Sequence, residues 1–148
     1  MLNIGDTAPS FELPDQVGND VSLSALINSG ALVLYFYPAD FSPVCTAEAC
    51  AFRDVYDDLA KIEVQVVGIS PQSRESHQRF ATRFSLPFPL LFDASKRVIR
   101  VYGVDGPLGF GVRRATFLIG RDGRIENRVL SDFFVGSHIN MIKQVLDR

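Results

Sequence analysis

The chain has 148 residues, 47% of them hydrophobic and 22% charged, with a net charge of −2. That length suits one domain spanning residues 1–148 around a single sizeable core, and the composition excludes a disordered or fibrous chain. Two cysteines cannot build a disulfide-dense secreted scaffold, and so small a net charge gives no general attraction to nucleic acid or membrane.

The opening Met1–Asp6 lacks the basic region and apolar run of a signal peptide. The longest apolar run, Ala31–Tyr37, is far short of the ~20 residues of a membrane span. The chain therefore reads as mature, soluble and cytoplasmic. In that reducing compartment two cysteines point to catalysis, metal binding or inert packing rather than a permanent staple.

In chain order, Ser10–Leu13 and Asp20–Ser22 flank a turn at Gly18-Asn19 and predict a small hairpin. Ala31–Tyr37 is a continuous run of β-formers, as expected of a strand buried on both faces, and Pro38 ends it. From Ser42 to about Lys61 the pattern turns helical, with Phe52, Val55, Tyr56 and Leu59 on one face. Val64–Ser70 predicts a second buried strand, Ser73–Phe84 a helix and Lys96–Tyr102 a shorter one. Arg114–Gly120 and Arg124–Leu130 form a hairpin around Asp122-Gly123, and Ser137–Leu146 closes the chain as an amphipathic helix. The order β-α-β-α-β-β-α, parallel strands first and a hairpin last, places helices on both faces of a mixed central sheet. This three-layer α/β arrangement is the thioredoxin fold with an N-terminal β-hairpin extension.

Charge is uneven along the chain. Residues 1–63 hold ten acids against Arg53 and Lys61, a balance of −8, and residues 64–148 hold seven acids against thirteen bases, or +6. Neither half is poor in apolar residues, so the halves are expected to interleave in one fold.

Residues 35–54 carry the chemistry. Ser42 suits a helix N-cap and Pro43 the first helical position, where its missing N–H costs nothing. Cys45 is then the third helical residue, beside unpaired backbone N–H groups and the positive end of the helix dipole. Such a site favours the thiolate over the thiol, and helix N-termini can depress a cysteine pKa from about 8.5 into the ~3.5–7.5 range. Asp40 and Glu48, close in sequence, work against the thiolate, so a cation must come from elsewhere in the fold.

Cys50 lies five positions on. In an intact helix this gives ~7.5 Å of rise, ~140° of rotation and a Cα separation of roughly 8–9 Å, beyond the ~7 Å limit of a disulfide. The sulfurs can join only if the first helical turns unwind. Nor is the spacing C-x-x-C, which disfavours a thioredoxin-like disulfide reductase. Cys50 is either a resolving thiol that acts after local unfolding or part of the helix packing.

The stretch Tyr37-Pro38-Ala39-Asp40-Phe41-Ser42-Pro43-Val44-Cys45-Thr46-Ala47-Glu48-Ala49-Cys50 closely resembles the peroxiredoxins, in particular the peroxiredoxin Q group, also called bacterioferritin comigratory proteins. The likeness extends to Gly5–Phe11, to Phe88-Pro89-Leu90-Leu91 and to Arg114–Ile119. Pro38, Ser42 and Cys45 match the Pro-x-x-x-Thr/Ser-x-x-Cys motif, with serine in place of the commoner threonine. Serine keeps the hydroxyl and loses the methyl that would fix its rotamer.

The resemblance implies that Cys45 is the peroxidatic cysteine and Cys50 the resolving one. It further implies that Ser42 hydrogen-bonds the peroxide, Pro38 shields the thiolate, Arg114 is the active-site arginine and Glu48 belongs to the surrounding polar network. Strand alternation sets Arg114, Thr116 and Leu118 on one face and Arg113 on the other. The implied activity is reduction of hydrogen peroxide and organic hydroperoxides by an atypical 2-Cys enzyme. Thioredoxin or a similar dithiol would re-reduce it, with no metal or cofactor, as a monomer or weak homodimer.

His77 and His138 are isolated on predicted helices and lack the paired spacing of a zinc site, so a surface or internally satisfied histidine is expected. Gly106–Gly111 precedes a strand rather than a helix and is no phosphate cradle; Phe110 either walls the substrate pocket or sits in a plain surface loop. The arginines from Arg74 to Arg128 are scattered without aromatic interleaving, so no nucleic-acid surface is expected.

Overall fold

The computed structural model describes residues 1–147. Strands β1 (Glu12–Pro14) and β2 (Asp20–Ser22) form an antiparallel hairpin. They are followed by α1 (Leu23–Ser29), β3 (Ala31–Phe36), α2 (Pro43–Lys61), β4 (Val64–Ser70), α3 (Arg74–Phe84) and β5 (Leu90–Phe92). The chain continues through α4 (Arg97–Val101), a 3₁₀ turn (Pro107–Gly109), β6 (Ala115–Ile119), β7 (Ile125–Leu130) and α5 (Val135–Leu146). The main sheet has the order β5-β4-β3-β6-β7, with β3, β4 and β5 parallel and β6 and β7 antiparallel.

The apolar run of β3 is explained by its central place. Val33, Tyr35 and Tyr37 point into a cluster with Phe52 and Leu59 of α2, Phe80 of α3 and Ile142 of α5. Leu32, Leu34 and Phe36 point the other way, onto Leu23 of α1, Val98 and Ile99 of α4 and Phe11 of the N-terminal segment. The result is the three-layer mixed sheet of the thioredoxin fold. Gly68 pairs with Tyr35 across β3 and β4, and a Cβ at that glycine would lie 2.8 Å from the tyrosine ring. The glycine thus makes room for an aromatic at the sheet centre.

The N-terminal extension also covers the start of β7. Gly5 N–H donates to Ile125 O at 2.8 Å, Ile125 N–H to Asp6 O at 2.9 Å and Ala8 N–H to Gly123 O at 2.8 Å. Backbone groups at the sheet edge that would otherwise be open are thereby paired.

Two elements are absent from the expected order. Helix α1 spans only seven residues; Ser22 Oγ accepts from Ala25 N–H at 3.3 Å at its start and Gly30 ends it. Strand β5 has three residues and follows Pro87-Phe88-Pro89, which reads as loop. Only pairing with Gly68–Ser70 of β4 makes it a strand. Elsewhere, boundaries move by one to two residues; the closing helix begins at Val135 rather than Ser137.

Candidate active site

Helix α2 begins at the C-terminal end of β3, after the loop 38–42. Its first intrahelical bond runs from Thr46 N–H to Ser42 O at 2.8 Å, so the amides of Val44 and Cys45 have no partner within the helix. Cys45 is therefore held where free N–H groups converge, and it is 1% exposed. Ser42 occupies the N-cap position, but its hydroxyl makes no capping bond and instead donates to Ala39 O at 3.1 Å. The expectation of an ordinary serine cap is corrected: Pro43 leaves one fewer N–H to cap, and the hydroxyl is free to face a pocket.

The missing cation comes from the edge of β6. Arg114 Nη1 donates to Cys45 Sγ at 3.0 Å and reaches Glu48 Oε1 at 3.4 Å. The guanidinium is oriented by Asp132, whose backbone carbonyl accepts from Nε at 3.2 Å and whose Oδ1 accepts from the Arg114 N–H at 3.0 Å. Arg113 points the other way and pairs with Asp132 Oδ2 at 2.9 Å. Burial lowers the Arg114 pKa, but the hydrogen bond and charge of Cys45 and the charge of Glu48 outweigh it and raise the value. Burial raises the Asp132 pKa, but the hydrogen bonds of Arg113 and the Arg114 backbone and the charges of both arginines together outweigh it and lower the value.

Behind the arginine lies a buried polar layer. Glu48 is 0% exposed, and burial pushes its carboxyl from 4.5 up to about 7 against the opposing pull of Arg114. Its Oε2 makes no hydrogen bond and sits 3.6 Å from His138 Nδ1. His138 Nε2 donates to Ser131 O at 3.0 Å, and Nδ1 pairs with Thr116 Oγ1 at 2.7 Å. Burial lowers the His138 pKa, and the Ser131 carbonyl, which can only accept, sets a proton on Nε2. Tyr35 Oη, also without a hydrogen bond, is raised well above its ordinary value by burial and by the charges of Glu48 and Cys45.

A pocket of about 430 Å³ opens over this layer. Ser42, Arg114 and Asp132 give it a polar side, and Pro38, Pro43, Val44, Val112 and Phe133 give it apolar walls. Phe110 is not among these residues and is 77% exposed, so the pocket aromatic is Phe133, which the sequence did not single out. The structure thus brings Cys45, Ser42, Pro38, Arg114 and Glu48 into one site. Cys50 lies outside it, half-buried on the intact helix, and both cysteines are free thiols. Asp40, expected to burden the thiolate, is turned away toward α3 and paired with His77 at 2.7 Å. Both histidines are buried and hydrogen-bonded. Among the described residues no group of three or more metal-ligating side chains converges, and no helix is long and apolar enough to cross a membrane.

A thioredoxin fold with a buried helix-N-terminal cysteine and a facing arginine defines a thiol oxidoreductase. Residues 4–128 match the AhpC/TSA family. Peroxiredoxin Bcp of Escherichia coli K12 is 42% identical over 147 residues, covering 95% of this chain and 93% of its own. Chloroplastic peroxiredoxin Q of Sedum lineare is 42% identical over 144 residues, with 96% and 76% covered. The crystal structure of peroxidoxin BcpB from Mycobacterium tuberculosis superposes with a TM-score of 0.92 at 38% identity, covering 99% and 97% of the two chains. A bacterioferritin comigratory protein of Xanthomonas campestris, whose alkyl peroxide reduction has been studied structurally, gives 0.84 at 26% identity over 93% and 90%. The chain belongs to the AhpC/TSA family, and its kin are the Q-type peroxiredoxins, thiol-dependent peroxidases.

Proposed function

We propose that Cys45 is the peroxidatic nucleophile of a hydroperoxide reductase, with Cys50 as resolving thiol and a thioredoxin-like dithiol as reductant. The observation that carries this reading is the 3.0 Å contact of Arg114 Nη1 with Cys45 Sγ at the edge of a pocket that also holds Ser42 and Pro38.

The Cys45 thiolate attacks the terminal, hydrogen-bearing oxygen of ROOH. The S–O bond forms as the O–O bond breaks, leaving Cys45–SOH and RO⁻, which takes a proton to become alcohol or water. Because Ser42 Oγ donates its own proton to Ala39 O, its lone pair is left to accept the hydroperoxide O–H. Charge then builds on the leaving oxygen, where the Arg114 guanidinium and the Cys45 backbone N–H are the available donors. Pro38 closes one wall and limits water. Glu48 and Asp132 hold the arginine from behind and from the side.

The Cys50 thiolate next attacks the Cys45 sulfenic sulfur, forming S–S and releasing hydroxide, which is protonated to water. Helix geometry requires the first turns of α2 to unwind before this step. A dithiol then restores both thiols by exchange. Two free thiols on one helix suit the reducing cytoplasm, and the 42% identical bacterial and plant relatives support the peroxidase reading in either setting.

Titration of reduced protein with one equivalent of hydrogen peroxide or an alkyl hydroperoxide tests it. Both thiols should disappear with peroxide, and Cys45→Ser should abolish peroxide consumption. Turnover retained by Cys45→Ser overturns the assignment.

A further inference from the structure

A second buried polar cluster lies outside the site, and no step of the mechanism uses it. Its centre is Asp40, in the loop 38–42 between Pro38 and Ser42. Three side chains from two places in the chain, the end of β3 and the first turn of α3, converge on this one carboxylate. Tyr37 Oη donates to Oδ1 at 2.7 Å, Ser76 Oγ donates to Oδ2 at 2.8 Å and His77 Nδ1 meets Oδ2 at 2.7 Å. His77 Nε2 lies 3.1 Å from Leu91 O, and since a carbonyl only accepts, that nitrogen carries hydrogen. The ring is thus clamped between β5 and the loop, and its side chain is 0% exposed, as is that of Asp40.

The neighbouring residue docks on the same helix. Phe41 has φ +65°, a left-handed conformation that surrounding contacts must hold in place. Its ring packs against Phe80 and Phe84 of α3, with centroids 5.1 and 6.2 Å away. Within five residues the loop therefore alternates: Pro38 and Ser42 face the pocket, while Asp40 and Phe41 grip α3. The Ser42 hydroxyl is itself tied back to Ala39 O, next to Asp40. A shift of Asp40 must carry Ser42 and Pro38 with it.

We propose that the Asp40–His77 pair is a positioning device for peroxide reduction, fixing the 38–42 loop on α3 so that Ser42 Oγ and Pro38 stand over Cys45. The inference rests on the functional reading above. It assigns a kinetic consequence to residues that touch neither peroxide nor sulfur. A misplaced Ser42 loses the hydroperoxide, and a displaced Pro38 uncovers the thiol, so the two effects on Cys45 chemistry have opposite signs.

The test uses the full chain carrying Cys50→Ser, so that Cys45 is the one thiol. Rates of Cys45 reaction with hydrogen peroxide and with iodoacetamide are measured in that parent and with Asp40→Asn, His77→Gln or Ser76→Ala added. Peroxide reaction needs the loop geometry, whereas alkylation needs only a reachable thiolate. Asp40→Asn and His77→Gln should slow peroxide reaction at least tenfold with alkylation equal or faster. Ser76→Ala, which removes one of three hydrogen-bond partners, should give a smaller change in the same direction and serves if the others do not fold. Val98→Ala, in the core on the opposite sheet face, controls for a general fall in Tm.

Equal peroxide rates in parent and variants overturn the proposal. So does a peroxide loss that Val98→Ala matches at a similar fall in Tm. A parent inert to peroxide overturns the functional reading instead; the alkylation arm then decides the anchor, and unchanged alkylation overturns it.

Discussion

Replacing Glu48 with glutamine should remove a pH dependence of stability whose size follows from the burial of this one carboxyl. Glu48 is 0% exposed, and its single hydrogen bond is a 3.4 Å contact with Arg114. Burial raises its pKa from 4.5 to about 7, with Arg114 limiting the rise. Between those values the native protein keeps the carboxyl proton that the unfolded chain releases, so unfolding becomes easier as pH rises. Each tenfold change in protonation is worth about 1.4 kcal/mol, so moving from 4.5 to about 7 amounts to roughly 3 kcal/mol. The full contribution is present below pH 4.5 and is lost once pH has passed about 7. His138, lowered by burial, acts with the opposite sign, since its contribution is lost as pH falls through its folded value. The ring is present in both proteins, and in the variant an amide replaces its 3.6 Å carboxylate neighbour. Urea unfolding of wild type and Glu48→Gln from pH 4.5 to 8 reads the effect: the wild-type advantage should shrink by roughly 3 kcal/mol across that range. A difference that stays constant within about 0.5 kcal/mol refutes the buried, singly bonded carboxyl.

Two further substitutions address the chemistry. Arg114→Lys replaces a planar donor that bridges Cys45 and Glu48 with a single ammonium, and the second-order rate with peroxide should fall by about 100-fold, the scale of one lost preorganised donor. A loss below about threefold in a peroxide competition assay removes the arginine from the transition state. Cys50→Ser should still react with peroxide but should accumulate sulfenic, then sulfinic, acid at Cys45 by intact mass. Cycling with thioredoxin at the wild-type rate would make Cys50 structural.

Local features of the site were readable before the fold was known because they are written in consecutive residues. Ser42-Pro43 marks a helix start, and three positions set Cys45 against its free amides. Arg114 is 69 residues from Cys45, yet strand alternation distinguishes it from Arg113 because the side chains of β6 must face opposite layers. The polar layer behind it had a weaker signal. His138 stands at helical spacing with Met141, Ile142 and Val145, all buried, so it occupies a core position where a polar ring must find internal partners. Which partners it finds depends on Thr116 and Ser131, and only tertiary structure brings those together. Asp132 carried no signal at all, since its role comes from where β7 ends. Phe110 lies near Arg114 in sequence but is exposed and outside the pocket, and Phe133 enters it from the segment after β7.

The uneven charge along the chain becomes a statement about the site. Acids of the first half meet basic partners of the second across the fold: Asp40 with His77, Glu48 with Arg114 and Glu63 with Arg121. Exposed Glu63–Arg121 contributes little. The Arg114 contacts differ, because both of their acceptors lie on the stretch of α2 that must unwind before Cys45 and Cys50 can join. In the thiolate state that unwinding breaks an ion pair as well as a hydrogen bond between the guanidinium and sulfur. On the proposed pathway, oxidation of Cys45 to a neutral sulfenic acid removes the negative charge on sulfur, so the ion pair is lost while the Arg114 guanidinium stays charged. The lock on the helix thus weakens in the one state that needs to unwind. Reduction restores the thiolate, and with it the stronger bond that draws the first turn of α2 back over Arg114.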